Sequence, residues 1–205
     1  MKEIFRLCVV LTVIAAVSAG VLAYVSQKTA EPIAQALLQE KMAAITNVLP
    51  PFDNDPYADR RTITGDGGAQ KEIYPGVKDG DIIGVAFEVT APDGYSGDIN
   101  FMVGVDMDGV VQGIEILKHL ETPGLGAKIV KEGFRDQYKG KSLADPENWA
   151  VTKDGGTFVP ITGATISSRA VTKATAEGLR FFRDNRSKIN GEPAEEEAAN
   201  DGGEE

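Results

Sequence analysis

Cysteine and histidine are almost absent from this chain of 205 residues. Cys8 is the only cysteine and His119 the only histidine. A disulfide within the chain is therefore excluded, as is a zinc or iron–sulfur site held by cysteines. The same shortage removes most nucleophilic mechanisms. A lone histidine beside a turn is usually a surface or packing residue, so His119 gives no reason to propose a metal site.

Basic residues are also scarce, and they are missing altogether from the end of the chain. Residues 191–205 contain seven acids, no base and no large apolar side chain, which predicts a disordered tail. The tail accounts for most of the net charge of −10 and leaves about −3 for all other residues. The sequence thus offers no basic surface for nucleic acid.

One long run near the start has no charge. Residues 7–25 are uncharged and long enough to cross a bilayer core of about 30 Å as a helix. Lys2 and Arg6 precede the run, so we expect residues 1–28 to be a cytoplasmic start and a single transmembrane helix. A cleaved signal peptide ending near Ala19 is the alternative. Because apolar sequence continues for six residues beyond Ala19, we favour the uncleaved anchor.

A second helix is predicted over residues 29–51, next to the membrane. Pro32 fits the first turn of this amphipathic segment, and Pro50-Pro51 stops it. Its apolar stripe favours ordinary core over a face that binds a partner. The stripe consists of Ile33, Leu37, Leu38, Met42, Ile45 and Leu49. Residues 52–71, rich in Asp, Gly, Thr and Arg, are typical of loop or edge structure.

Residues 82–117 carry the clearest strand pattern. Apolar residues alternate in two runs, as half-buried strands require. The runs are Ile83, Val85, Phe87 and Val89, and then Ile99, Phe101, Val103 and Val105. Asp108-Gly109 predicts a tight hairpin turn into a third strand with Val111 and Ile114. Asp106 to Gly109 also resembles the start of a calcium loop, but the remaining ligand positions are missing, so the hairpin is favoured.

Two stretches rich in small residues each precede a predicted helix. Residues 162–168 lead into a helix over 166–186, whose start would favour an anion such as phosphate. The alternative is that Thr162 or Thr165 is only an N-cap residue. Residues 121–126 lead into a helix over 127–139, with Val130, Phe134 and Tyr138 on one side. A tight turn that caps a helix is the alternative there, because the motif lacks the features of a dinucleotide or P-loop fingerprint.

Three motifs together resemble the FMN-binding domain family found in membrane redox complexes. They are Gly94-Tyr95-Ser96-Gly97, Glu121-Thr122-Pro123-Gly124-Leu125-Gly126, and Thr162-Gly163-Ala164-Thr165 followed by Ile166-Ser167-Ser168. The resemblance implies one FMN, joined through its phosphate as a phosphoester to the Thr165 hydroxyl. It also implies that the second motif encloses the flavin. The family pattern has an Asp three residues before Thr162, where this chain has Val159.

The strand and helix patterns predict an α+β domain over residues 52–190, with an antiparallel sheet and packed helices. Because Lys2 and Arg6 precede the membrane span, we expect this domain on the extracytoplasmic side. The resemblance implies that the membrane is a bacterial inner membrane and that the domain relays electrons between other membrane subunits that carry flavin and iron–sulfur centres. In length the chain is most similar to the G subunits of Rnf-type ion-translocating ferredoxin:NAD oxidoreductases. The longer C subunits of sodium-pumping NADH:quinone reductases are one alternative, and a membrane-anchored flavin sensor without relay activity is another. A structural interaction protein that binds no flavin is a third.

Overall fold

A computed structural model describes residues 1–65, 68–146 and 148–191 of the chain. It divides the chain into two units, Met1–Lys41 and Met42–Glu205. The predicted acidic tail, apart from Gly191, lies outside the described residues.

The first unit is helical, and its helix α1 runs over Lys2–Val48 into the second unit. The helix is long and apolar enough to cross a membrane. The predicted transmembrane and juxtamembrane segments therefore belong to one helix, and Pro32 lies inside it rather than in the first turn of a second helix. The helix ends two residues before Pro50-Pro51, because proline removes a backbone donor and restricts the residue before it.

Within its described residues, the second unit contains one antiparallel sheet whose five strands pair in chain order. The strands are β1 (Arg61–Thr64), β2 (Gln70–Lys78), β3 (Asp81–Ala91), β4 (Ile99–Asp106) and β5 (Val111–Lys118). The predicted strands correspond to β3, β4 and β5 and are confirmed. Short β1 is an edge strand within the segment predicted as loop or edge. No prediction covered β2, whose pattern is interrupted by Pro75-Gly76 and whose register with β3 shifts at Gly76/Val77.

The predicted hairpin between β4 and β5 is confirmed, and the Asp106 side chain organises its turn. One carboxylate oxygen of Asp106 accepts the backbone N–H of Asp108 at 3.0 Å and that of Val110 at 2.9 Å. A side chain that bonds the backbone two residues further on is a common way to fix a tight turn.

The single helix predicted over 127–139 is wrong. In its place lie a 3₁₀ helix over Gly126–Val130, the short α2 over Glu132–Arg135 and a second 3₁₀ helix over Asp136–Tyr138. Lys131 is extended, at φ −77° and ψ 142°, and interrupts the helix. Because of this change of phase, Ile129 is buried, whereas Val130, predicted on the same side as Phe134 and Tyr138, is 42% exposed.

The helix predicted over 166–186 is confirmed as α3, Thr165–Asp184, and the short α4 follows over Arg186–Asn190. Buried side chains of α3, including Val171 and Leu179, pack against one face of the sheet and form the main core. A smaller core on the opposite face joins the last turns of α1 to the sheet. Its buried members are Ala44, Ile45, Val48, Leu49, Tyr74, Ala86 and Met102.

Tyr138 fixes the connection between β5 and α3 to the main core. Its ring stacks on Phe158 with centroids 4.8 Å apart, and its hydroxyl lies 2.7 Å from the Thr172 hydroxyl in α3. Burial raises the pKa of Tyr138 well above its usual value. Thr172 donates its own proton to the Ser168 carbonyl, so the neutral Tyr138 is the donor to Thr172.

Candidate functional site

A cleft of ≈ 580 Å³ opens at the start of α3. Its volume falls within the range of about 300–1,000 Å³ that is usual for small-molecule sites. It is lined by Tyr95, Glu121, Thr122, Leu125, Gly126, Gly163, Ala164, Thr165, Ile166 and Ser167. All three sequence motifs contribute to this lining, although the first and last lining residues are separated by 72 positions in the chain.

Glu121 connects the three motifs from beneath the cleft. The residue is only 4% exposed. One carboxylate oxygen accepts the backbone N–H groups of Tyr95 at 2.8 Å and Ser96 at 3.3 Å, and the other accepts the Ser167 hydroxyl at 2.8 Å. Three donors satisfy the buried carboxylate, as burial of a charged group requires. Ser167 lies in the first turn of α3, where the positive end of the helix dipole also favours the negative charge.

Gly126 allows Glu121 to take this position. A Cβ at Gly126 would overlap the Glu121 carboxylate and would lie 2.9 Å from the Ser167 hydroxyl oxygen. The 121–126 stretch therefore does more than cap a helix, since its glycine makes room for the bond between Glu121 and Ser167.

Thr165 is the first residue of α3 and lies half-buried at the edge of the cleft. Ala164 is the N-cap residue and no side chain caps the helix, so the N-cap interpretation of Thr162 and Thr165 is wrong. The Thr165 hydroxyl instead accepts a hydrogen bond from the Lys153 ammonium at 2.9 Å. The first N–H groups of α3 have no intrahelical acceptor, as at any helix start.

Ser168 holds the loop that leads to Thr165. It is fully buried, accepts the Ile161 backbone N–H at 3.0 Å and donates to the Ala164 carbonyl at 2.9 Å. Its contacts fix the backbone on both sides of Gly163. Ser168 therefore acts on the shape of the cleft rather than on its surface.

Lys153 is carried by a short 3₁₀ helix over Thr152–Asp154. Asp154, its neighbour, accepts two hydrogen bonds from Arg169 in α3, at 2.6 and 2.9 Å. The hydrogen bond from Arg169 holds the pKa of Asp154 below its usual value, and the Arg169 and Lys153 charges add to this effect. The ion pair connects the turn that carries Lys153 to the helix that carries Thr165.

The predicted site residues fall into two groups. Glu121, Thr122, Leu125, Gly126, Gly163, Ala164, Thr165 and Ser167 line the cleft, whereas Thr162, Pro123, Gly124 and Ser168 are not among its lining residues. The lining residues Tyr95 and Ile166 belong to the motifs but were not predicted as site residues, and the contact from Lys153 was not predicted either. A Lys-Asp-Gly-Gly run is a turn signal that sequence reasoning could have used for Lys153. Val159 is 67% exposed, and its backbone N–H donates to the Gln137 side chain at 2.8 Å.

Comparison with known proteins places this arrangement in a family. The FMN-binding domain family matches residues 94–180, which contain all three motifs. The G subunit of the ion-translocating oxidoreductase complex of Pseudomonas aeruginosa is 37% identical over 210 residues, covering 97% of this chain and 96% of the relative. The chain belongs to the family of G subunits of ion-translocating oxidoreductase complexes. Another member of the G family, from Cereibacter sphaeroides, is 38% identical over 84% of this chain and 81% of its own length.

This chain shares its domain fold with a solved structure. The crystal structure of Shewanella oneidensis NqrC superimposes with a TM-score of 0.50 and 22% identity, over 64% of this chain and 69% of that chain. At this identity the likeness extends to the fold alone.

Proposed function

We propose that the chain is the electron-relay subunit of a membrane-bound, ion-translocating redox complex of the Rnf type. It carries one FMN, attached by a phosphoester to the Thr165 hydroxyl. The observation that carries the proposal is the position of Thr165, which begins α3 at the edge of the cleft and whose hydroxyl takes no part in capping the helix. The assignment to an ion-translocating redox complex rests on the names of the G-family relatives.

The residues around the cleft fit a flavin nucleotide. Tyr95, Leu125 and Ile166 line it and are 68%, 47% and 45% exposed, so they offer apolar surface to a flat ring system. The start of α3 and the Lys153 ammonium would face the phosphate. Bound there, FMN would supply the capacity to accept and donate electrons.

The protein's own groups position this cofactor. Glu121 holds the loop at Tyr95, the 121–126 stretch and the first turn of α3 in one arrangement. Covalent attachment suits a relay on the extracytoplasmic side, because the cofactor then cannot be lost by dissociation into a dilute compartment. The protein would act as part of a translocase and would not be catalytic alone.

Helix α1 would anchor the protein in the bacterial inner membrane, with Lys2 and Arg6 on the cytoplasmic side. The partners would be other membrane subunits with flavin and iron–sulfur centres. A reporter enzyme that is active only outside the cytoplasm, fused behind Glu205, tests the orientation. Activity is the expected result, and an inactive fusion that is present at normal levels would place the domain in the cytoplasm.

Intact-mass measurement of the chain purified from its native membrane, followed by peptide mapping, tests the attachment. The expected adduct has the mass of FMN less one water and lies on Thr165. Thr165→Val removes the hydroxyl and should abolish the adduct, while Thr165→Ser should keep it. Thr162→Val is the matched control, because Thr162 lies in the same loop outside the cleft lining. An unmodified Thr165 in an active native preparation would overturn the proposal.

The proteins that purify with the flavinylated chain distinguish an electron relay from a flavin sensor. A relay protein should purify with polytopic redox subunits, and Thr165→Val should stop electron transfer through the complex while leaving its assembly intact. If a fully flavinylated chain purifies alone and the variant transfers electrons normally, a flavin sensor is the better description.

A further inference from the structure

Lys153 reaches the proposed attachment site from outside the three motifs. Its ammonium donates a hydrogen bond of 2.9 Å to the Thr165 hydroxyl oxygen, across twelve positions of sequence. Lys153 lies within the family match over residues 94–180 but outside the three motifs, and the fold of its turn brings it to Thr165.

The turn that carries Lys153 is firmly held. The Thr152 N–H donates to the Phe158 carbonyl at 2.8 Å, and the Gly156 N–H donates to the Val151 carbonyl at 3.1 Å. A Cβ at Gly156 would lie 2.7 Å from the Ala150 Cα, so only glycine fits where the two arms of the turn meet. Lys153 therefore extends from an ordered backbone.

Among the described residues, the charges around Thr165 leave the Lys153 ammonium available. The Asp154 carboxylate is engaged by both the Nε and a terminal nitrogen of Arg169, and these two residues neutralise each other. Lys153 then contributes one net positive charge beside the Thr165 hydroxyl. Since an ammonium has donors and no acceptor, charged Lys153 cannot act as the base that removes the hydroxyl proton.

We propose that Lys153 is a positioning residue that pairs with the phosphate of the nucleotide joined to Thr165. This inference rests on the proposed function and deepens it. Before attachment, the ammonium orients the Thr165 hydroxyl. When the nucleotide arrives, the ammonium transfers its hydrogen bond to the phosphate oxygens, so that the hydroxyl lone pair is free to attack. Afterwards it balances the single negative charge of the phosphodiester.

The attachment itself is a group transfer that balances without a redox step. The bond from Thr165 Oγ1 to phosphorus would form, and the phosphoanhydride bond of a flavin dinucleotide would break with AMP as the leaving group. The hydroxyl proton would pass to water.

The test measures how fast Thr165 is modified in the full-length chain, by intact mass at intervals after expression in the native host. Lys153→Met should be modified at least about tenfold more slowly than the natural chain, the factor expected for a lost hydrogen bond between charged groups. Lys153→Arg should recover most of the rate, because it restores the positive charge and the donors. Lys139→Met is the control, since it removes one charge from the exposed ion pair of Lys139 with Asp136.

The outcomes separate this inference from the one on which it rests. Modification of Lys153→Met at the natural rate would overturn the role of Lys153 and leave covalent attachment intact. An unmodified natural chain would overturn both. Circular dichroism melting of each variant shows whether it is folded, and a slow but folded Lys153→Met that Lys153→Arg rescues supports the assignment.

Discussion

Two close approaches in the domain, one at the smaller core and one at the cleft, use glycine differently. At the smaller core, Gly104 of β4 lies against the end of α1, where an added Cβ would be 2.6 Å from the Val48 carbonyl carbon. At the cleft, Gly126 lies against the side chains of Glu121 and Ser167. The first contact joins backbone to backbone, and the second joins backbone to a buried polar group.

The contact of Gly104 therefore helps to fix the fold, whereas the contact of Gly126 helps to shape the site. A backbone contact cannot yield unless whole elements move, so Gly104 sets the distance between α1 and the sheet. A side chain can rotate, so Gly126 controls the orientation of a carboxylate rather than the position of an element. We therefore expect changes at Gly104 to affect the entire domain and changes at Gly126 to affect mainly the cleft.

The largest effect is expected for Gly104→Ala. The new methyl group would overlap the Val48 carbonyl, and separating α1 from the sheet would destabilise the domain by about 3 kcal/mol or more. Thermal unfolding of the detergent-solubilised full chain measures the loss. Gly133→Ala in α2 is the control, because nothing lies within 4 Å of its Cβ and alanine favours helix. Equal melting of the two variants would show that the contact with Val48 is not restrictive.

The next largest effect is expected for Glu121→Ala. It leaves the Tyr95 and Ser96 N–H groups and the Ser167 hydroxyl without their acceptor, at a cost of about 2–3 kcal/mol. Glu121→Gln keeps one oxygen for the two N–H groups, and Ser167 can turn to accept from the new amide, so its cost should be about 1 kcal/mol. Flavin loading should fall in the same order. If the alanine and glutamine variants have the same melting point, Glu121 does not connect the motifs.

Gly126→Ala sharpens the comparison directly. Its methyl group meets the ends of two side chains rather than backbone, so it should cost about 1–2 kcal/mol, less than Gly104→Ala. Since the Glu121 carboxylate must rotate, we expect a large fractional loss of flavin loading and only a modest loss of melting temperature. For each of the two glycine variants, both losses are measured on the same preparation. The ratio of lost flavin loading to lost melting temperature should be larger for Gly126→Ala than for Gly104→Ala. A larger stability loss at Gly126 than at Gly104 would reverse our assignment of the two regions.

Sequence reasoning predicted these regions unequally, for physical reasons. Alternating apolar residues were sufficient for β3 and β4, because one side of each of these strands faces the main core, and the Asp108-Gly109 turn signal predicted β5. The same reasoning failed over 127–139, since apolar residues three or four positions apart fit a chain of short 3₁₀ and α turns as well as one helix. The three motifs were recognised by their resemblance to the FMN-binding domain family. The contacts of Glu121 and Lys153 depend on tertiary folding, which residue spacing does not encode.

The smallest expected effect concerns the ion pair that supports Lys153. The Arg169 hydrogen bond lowers the folded-state pKa of Asp154 below the ordinary 3.8. The ion pair of Asp154 with Arg169 therefore contributes its full stabilisation when the pH is above the ordinary pKa of Asp154. This stabilisation is lost as the pH falls through the lower folded-state pKa. Melting points of the natural chain and of Asp154→Asn, compared across pH, should differ by a small constant amount at neutral and mildly acidic pH and converge below 3.8.

The difference in melting point between the natural chain and Asp154→Asn should also shrink in high salt, because both side chains of the ion pair are exposed. Convergence already at neutral pH would mean that the ion pair does not hold the Lys153 turn against α3, and Lys153 would then need another support to keep its contact with Thr165.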